Sequence, residues 1–169
     1  MSNKFILLIV LFITPVLISG CIFDKAKGAD TSVKSDLIPT TNLPDSFTYM
    51  GSHEIPVNIG SSSINATEDV YRNNRADIYI QVIENDKPAA LLAQYKFQKQ
   101  KQFKTGYNPF QETSLNGHNA TLVTEFSTVN GRQRPNYAVI WATGKAMISV
   151  GSPTADLQTV LAIAKATGS

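Results

Sequence analysis

The amino-acid sequence predicts an α+β fold in which two helices pack on one face of a mostly antiparallel sheet. Segments with the two-residue period of β-strands are separated by turn signals at Asn116-Gly117, Asn130-Gly131 and Thr143-Gly144-Lys145. Such short turns join neighbouring strands as hairpins, which are antiparallel. Two further segments carry apolar residues at the three- and four-residue spacing of helices. Runs of hairpin-linked strands with separate helices are typical of the α+β class.

Alternating apolar residues predict strands at the start of the domain, which we expect to span residues 43–169. They are Phe47, Tyr49, Ile55, Val57 and Ile59. Residues 60–63 are expected to form a loop, and residues 69–72 a short strand. The segment Asp77–Glu84 is the strongest predicted strand, because its β-branched and aromatic residues alternate between two faces.

The first helix is expected over residues 89–104. Asp86 is the expected N-cap, and Pro88 falls in the first turn, where proline is tolerated. Leu91 and Tyr95 are among the residues expected to face the core. Lysines and glutamines make the other side of this helix polar, as in a helix that packs on one side only.

Four more strands and a second helix complete the predicted domain. The strands are expected at residues 110–115, 120–126, 137–141 and 146–150, the last two as a hairpin. Ser152 is the expected cap of the second helix, with Pro153 at its first position. An apolar stripe at helical spacing prepares this helix to dock on the sheet. The stripe consists of Leu157, Val160, Leu161 and Ala164.

The chain begins with an apolar run, Phe5–Ile18, that follows a single positive charge at Lys4. The run has the length of a cleaved signal peptide, roughly 7–15 residues, and not the roughly 20 of a spanning helix. Pro15 also disfavours a long uninterrupted helix. We therefore expect residues 1–20 to form a signal peptide. The alternative is an uncleaved anchor helix that ends near Phe23.

The end of this run resembles the lipobox of prokaryotic lipoproteins, with Ile18-Ser19-Gly20 directly before Cys21. The resemblance implies cleavage between Gly20 and Cys21 and attachment of a lipid to the cysteine sulfur. Ile18 departs from the pattern, which has leucine at that place. The chemistry agrees with the resemblance, because a cysteine thiolate is a strong nucleophile.

Residues 21–42 are expected to form a flexible tether between the anchor and the domain. They are rich in lysine, serine, threonine and aspartate, and their few large apolar residues have no period. Lys25, Lys27 and Lys34 are expected either to contact anionic lipid headgroups or to keep the tether soluble.

Charge and cysteine content narrow the class of protein. The formal charge is +2, and loss of Lys4 with the leader leaves 14 basic and 13 acidic residues. This balance gives no electrostatic argument for binding to nucleic acid. Cys21 is the only cysteine, so no disulfide forms within the chain. The exported domain must therefore be stable through its core.

The sequence contains no recognisable catalytic motif. Phosphate-binding, dinucleotide-binding and nucleophile-elbow patterns are absent. The two histidines, His53 and His118, have no cluster of metal ligands near them in the sequence. The carboxylates around the strongest predicted strand are expected to be solvated charges; they are Asp69, Asp77, Glu84 and Asp86. We therefore expect no catalytic residue, no metal and no cofactor.

Six cations are candidates for contact with an anionic polymer or with lipid headgroups. They are Lys96, Lys99, Lys101 and Lys104 on the first helix, and Arg132 and Arg134 after the second Asn-Gly turn. Aromatic residues lie between the lysines, a mixture that favours anionic surfaces. The alternative is a solvated helix face, which the near-neutral charge of the domain favours.

Two segments match the N-glycosylation sequon, Asn65-Ala66-Thr67 and Asn119-Ala120-Thr121. Asn65 and Asn119 are therefore candidate acceptors. Asn65 is expected to lie in a loop, which makes it the better acceptor of the two.

Several segments resemble a group of uncharacterised archaeal lipoproteins from methanogens. They are Asp77–Glu84, Asn116–Thr121, Tyr137–Trp141, Gly144-Lys145 and Val150-Gly151. The resemblance covers roughly residues 43–169 together with the leader, and it implies no activity. The order of strands and helices is also similar to that of the PsbP/Mog1-like fold.

These features predict a lipid-anchored protein on the outer face of the cytoplasmic membrane, with an extracellular domain. Its expected role is to bind another envelope protein, a cell-wall polymer or a small ligand, and it is not expected to be an enzyme. One alternative is an envelope enzyme, or a subunit of one, whose site forms only in the fold. The second alternative is an envelope assembly or maturation factor.

Overall fold

The computed structural model describes residues 43–44 and 46–169. The predicted signal peptide at residues 1–20, the predicted tether at residues 21–42, and Cys21 lie outside the described residues. These predictions therefore stay predictions.

The described residues form one seven-stranded antiparallel sheet and two helices, which confirms the α+β class. The strands in sheet order are β1, β2, β3, β7, β6, β5 and β4. In chain order the elements are β1 Thr48–Ile59, β2 Ser62–Arg72, β3 Asp77–Glu84, α1 Pro88–Gln100, β4 Phe110–Leu115, β5 His118–Val129, β6 Arg132–Ala142, β7 Ala146–Ser152 and α2 Leu157–Ala166. Neither helix within this part of the chain is long and apolar enough to cross a membrane.

The two helices lie on opposite faces of the sheet. Leu91 of α1 packs in a cluster with Ile83 and Met147. Val160 of α2 packs in a separate cluster that contains Ile148. Because successive side chains of a strand point to opposite faces, Met147 and Ile148 of β7 face opposite ways. We call these two sides of the sheet the α1 face and the α2 face.

The expectation that both helices cover one face is therefore wrong. Its physical reason lies in the central strands, which are apolar on both sides. Ile80 and Ile83 of β3 are fully buried, as are Met147 and Ile148 of β7. A strand that is apolar on both sides needs a covering layer on each, in contrast to a sheet with one solvated face.

Strand register defines two ends of the sheet. At one end, which we call the Leu43 end, lie residues 43–44 and 46–47, the β2–β3 turn and the β5–β6 turn. At the other, the Ser61 end, lie the β1–β2, β4–β5 and β6–β7 turns. Helix α1 runs toward the Leu43 end, because it starts after the last residue of β3 and its Lys99 contacts Glu125 in the second half of β5.

The starts of both helices differ from the predictions. Pro88 lies in the first turn of α1 as expected, but Lys87 is the N-cap and Asp86 makes no capping bond. Helix α2 begins at Leu157, where Asp156 accepts a 2.8 Å hydrogen bond from the Thr159 amide. Ser152, the expected cap, ends β7 instead, because its hydroxyl donates to the main-chain oxygen of Asp77 at 2.6 Å.

Strand β2 is longer than predicted, and this changes the setting of one sequon. The strand begins at Ser62, so Asn65 lies in a strand opposite Pro56 and the prediction of a loop is wrong. The side chain of Asn65 is nevertheless exposed, as is that of Asn119 near the start of β5. Use of either residue as an acceptor stays a prediction.

Candidate ligand-binding cavity

A cavity of about 330 Å³ opens on the α1 face, beside the second half of helix α1. Its floor consists of small side chains on neighbouring strands, Ala138 of β6 with Ser149 and Gly151 of β7. A Cβ atom at Gly151 would lie 3.1 Å from the Cβ of Ala138, so glycine keeps this floor low. The depression therefore follows directly from three small residues set in register.

Larger side chains on both sides of this floor form the walls. One wall comes from β2 and β3, and the other from α1 and β5. The wall residues are Glu68, Tyr79 and Gln81 on the first side, and Tyr95, Val123 and Glu125 on the second. Asn136 and Pro153 line the cavity toward the Leu43 end. This mixture of a few polar groups with aromatic and apolar surface is typical of small-molecule sites.

Glu68 is held in place within its wall by two neighbours. Its Oε2 accepts a 2.7 Å hydrogen bond from Nε2 of Gln81, the residue opposite it on β3. Its Oε1 lies 3.2 Å from Nε2 of His53, the residue opposite it on β1. The residue is only 9% exposed. Its carboxylate therefore has a fixed direction, set by cross-strand partners on both sides.

Two tyrosines of the cavity keep their hydroxyl protons. Burial raises the pKa of Tyr79, and the charges of Asp77 and Glu68 raise it further. Burial likewise raises the pKa of Tyr95, against the lowering effect of Lys99. Both hydroxyls are therefore hydrogen-bonding groups, and neither is a base near neutral pH.

Glu125 forms an ion pair with α1. Its Oε1 lies 2.5 Å from Nζ of Lys99, and both side chains are largely covered. Burial alone would lower the pKa of Lys99, but the contact with Glu125 and the nearby Tyr95 raises it. Lys99 is therefore charged and neutralised by its partner.

The structure divides the six predicted cationic contacts into two groups. Lys96 and Lys99 point to the sheet, where they pair with Glu112 and Glu125 at 2.5 Å each. Because these charges are compensated, they are poor contacts for a second anion. The other four are exposed and form no ion pair with the described residues; they are Lys101, Lys104, Arg132 and Arg134.

The carboxylates singled out in the sequence do not come together. Asp77 pairs with Arg72 at 2.7 Å, and the Arg72 hydrogen bond is the main cause that lowers its pKa. Asp69 is fully buried, so the prediction that it is a solvated charge is wrong. Glu84 and Asp86 lie at the Ser61 end, away from both. Residues 43–44 and 46–169 hold no group of three or more His, Cys, Asp or Glu arranged to bind a metal ion.

Sequence reasoning missed the residues that line the cavity. Glu68 was overlooked because β2 was expected to begin at residue 69. A signal was present, since Glu68 and Ala66 alternate with Thr67 and Asp69 in the pattern of a strand. The small floor residues carry no local signal, because only strand register places them side by side.

No family model, no curated protein and no solved structure matches the chain. What defines the class of this protein is therefore its own fold and site, an antiparallel α+β domain with a cavity between one helix and the sheet.

Proposed function

We propose that the protein is a lipid-anchored binding protein of the cell envelope, which holds a small hydroxyl- or amino-bearing ligand in the cavity on the α1 face. The leader and Cys21 support the anchor, on the lipobox resemblance described above. The cavity supports the binding role. A sugar or amino-sugar unit of an envelope polymer has the chemistry that this site would recognise.

The class of ligand is inferred from the hydrogen-bond acceptors that converge around the small cavity floor. Glu68 and Glu125 supply carboxylate oxygens, and Asn136 and Ser149 supply neutral polar groups. No lysine or arginine is among the described residues that line the cavity, so an anionic ligand is disfavoured. Tyrosine rings add apolar surface with a hydroxyl at the edge, a combination used to bind ligands that are apolar on one side and polar on the other.

The pKa shifts and existing partners of the polar groups favour binding over catalysis. A general base needs a pKa near the working pH, whereas the pKa values of Tyr79 and Tyr95 are raised away from it. Glu68 already accepts a hydrogen bond from Gln81, and Glu125 is paired with Lys99. These groups are arranged to hold a ligand in one orientation.

The test is titration calorimetry of the full chain in detergent against saccharides released from the envelope of the source cells. Glu68→Gln should weaken binding about tenfold to a hundredfold, the range expected for a lost bond to a charged group, and Tyr79→Phe about twofold to tenfold, the range for a neutral one. Glu54→Gln is the matched control, since Glu54 is an exposed β1 carboxylate that does not line the cavity.

Unchanged affinity in both cavity variants would refute the site, and so would an absence of any bound saccharide. Mass spectrometry of the saccharide after long incubation tests the enzyme alternative. A new product that disappears in Glu68→Gln would establish catalysis in place of binding.

A further inference from the structure

The Leu43 end of the domain carries a surplus of unpaired positive charge. Five cations there form no ion pair with the described residues; they are Arg75, Lys101, Lys104, Arg132 and Arg134. The carboxylates among the described residues at this end are already engaged. Asp77 pairs with Arg72, Glu125 pairs with Lys99, and Asp156 caps α2. The described residues of this end therefore carry a surplus of positive charge, although the whole chain is near neutral.

A two-stranded arm projects from the same end. The last part of β5 and the first part of β6 pair only with each other, from Phe126 opposite Pro135 to Val129 opposite Arg132. Four such pairs extend roughly 13 Å at the rise of a β-strand. The arm exposes apolar as well as basic side chains, since Phe126 is 52% exposed and Val129 is 41% exposed.

The base of this arm is supported by packing. The ring of Tyr107 lies 6.1 Å from that of Phe126 and 5.2 Å from that of Phe103. The Tyr107 hydroxyl also donates a 2.9 Å hydrogen bond to the main-chain oxygen of Thr124. The arm therefore has a fixed root, which lowers the entropy lost when its tip binds a surface.

The chain enters the domain at this end. Phe47 is a buried member of the core cluster on the α2 face, and Leu43 packs against that cluster. The 21 residues between Cys21 and Leu43, if flexible as their composition predicts, have a root-mean-square span of about 25 Å. A lipid on Cys21 would therefore be joined through this tether to the Leu43 end, where the chain enters the domain.

We propose that the Leu43 end docks on an anionic lipid surface, with the tip of the β5–β6 arm in the headgroup layer. Arg132 and Arg134 meet lipid phosphates, and Val129, which lies opposite Arg132 at the tip, enters the apolar boundary beside them. A lipid surface explains why unpaired cations and exposed apolar side chains occur together at the end where the chain enters. This inference rests on the lipid anchor of the proposed function.

The experiment uses the full chain, purified from membranes and added to vesicles of phosphatidylcholine with or without phosphatidylglycerol. Val129→Cys carries a polarity-sensitive fluorophore at the tip, and Gly144→Cys carries it in the β6–β7 turn, at the other end of the strand that forms the arm. A lipid-linked Cys21 has no free thiol and takes no label. We expect quenching by spin-labelled lipid at position 129 and not at position 144, and only in vesicles that contain phosphatidylglycerol.

Charge removal sharpens the test. Arg132→Gln with Arg134→Gln should lower the ratio of docked to free arm about 30-fold, at the usual contribution of a cation near an anionic bilayer. Lys87→Gln with Lys145→Gln removes the same charge from the Ser61 end and should change nothing.

Each of the other outcomes refutes the docking proposal. If the chain floats with vesicles but position 129 is not quenched, the docking surface is refuted while the anchor stands. Equal quenching with and without phosphatidylglycerol also refutes it, since the cations would then contribute nothing. If the chain does not float and Cys21 takes the label, the anchor fails and the docking proposal fails with it.

Discussion

The hydroxyl of Tyr49 donates a 2.8 Å hydrogen bond to Oδ1 of Asp69. Asp69 is fully buried, and its Oδ2 has no hydrogen-bond partner among the described residues. Burial raises the pKa of Asp69, and the bonds from Tyr49 and Ser52 only partly oppose this. Burial and the carboxylate together raise the pKa of Tyr49 to about 12. Folding therefore shifts both groups toward their protonated forms relative to the unfolded chain.

Asp69→Asn should make the protein more stable at neutral pH. With a raised pKa in the folded state, Asp69 stabilises the fold fully only below its unfolded value of about 4, and this stability is lost as the pH rises through the folded value. The difference in unfolding free energy between variant and wild type should therefore grow as the pH rises and then become constant.

Urea unfolding across the pH range measures this difference. Asp77, Glu112 and Asp156 have lowered pKa values, so they destabilise both proteins in acid and cancel in the comparison. A difference that is independent of pH would contradict the prediction.

Tyr49→Phe should cost about 1–3 kcal/mol, because it removes a hydrogen-bond donor from a buried carboxylate. In the Asp69→Asn background, Tyr49→Phe should lower the unfolding free energy by less, because a hydrogen bond to an uncharged acceptor contributes less. Unfolding free energies of the two single variants and the double variant form a cycle that isolates the coupling. A coupling of zero would show that the bond contributes nothing to stability.

Gly151→Ala should weaken ligand binding and cost about 1–3 kcal/mol of stability, the usual cost of overpacking. The new Cβ would lie 3.1 Å from Ala138 and 3.4 Å from the main-chain oxygen of Tyr137, so the cavity floor must shift. Gly144→Ala is the control, since its Cβ would meet nothing within 4 Å. Calorimetric unfolding and saccharide titration check both effects, and equal behaviour of the two variants would contradict the account.

The hairpins were readable from the sequence because their turns need special backbone angles. Asn116 and Gly117 have φ values of 48° and 84°, and Asn130 and Gly131 have 51° and 72°. Asparagine and glycine adopt this left-handed region at low cost, so the pairs mark the turns wherever they occur. Each of these turns identifies two neighbouring antiparallel strands, and these pairs predict the α+β class.

The cavity and the side of each helix were not readable, because both depend on partners that are distant in sequence. Glu68 meets Gln81 only through the register of β2 on β3, and Ala138 meets Gly151 only through that of β6 on β7. Which face of the sheet α1 covers depends on the second apolar face of β3, and Ile83 was the residue in the sequence that indicated this face. A one-residue change of register would have exchanged the two faces.

Cys21→Ser should abolish both lipid attachment and leader cleavage, if the sulfur carries the lipid that the lipobox resemblance implies. A serine hydroxyl cannot form the thioether, so the variant should keep its leader and shift in mass by the missing lipid as well as by the uncut peptide. Fractionation of the source cells with mass spectrometry of the intact chain measures both. Ser19→Ala is the control, because it keeps a small residue before the cleavage site. A Cys21→Ser variant that stays membrane-bound with the same mass as wild type, apart from the substitution, would refute the lipid anchor and leave the uncleaved helix as the alternative.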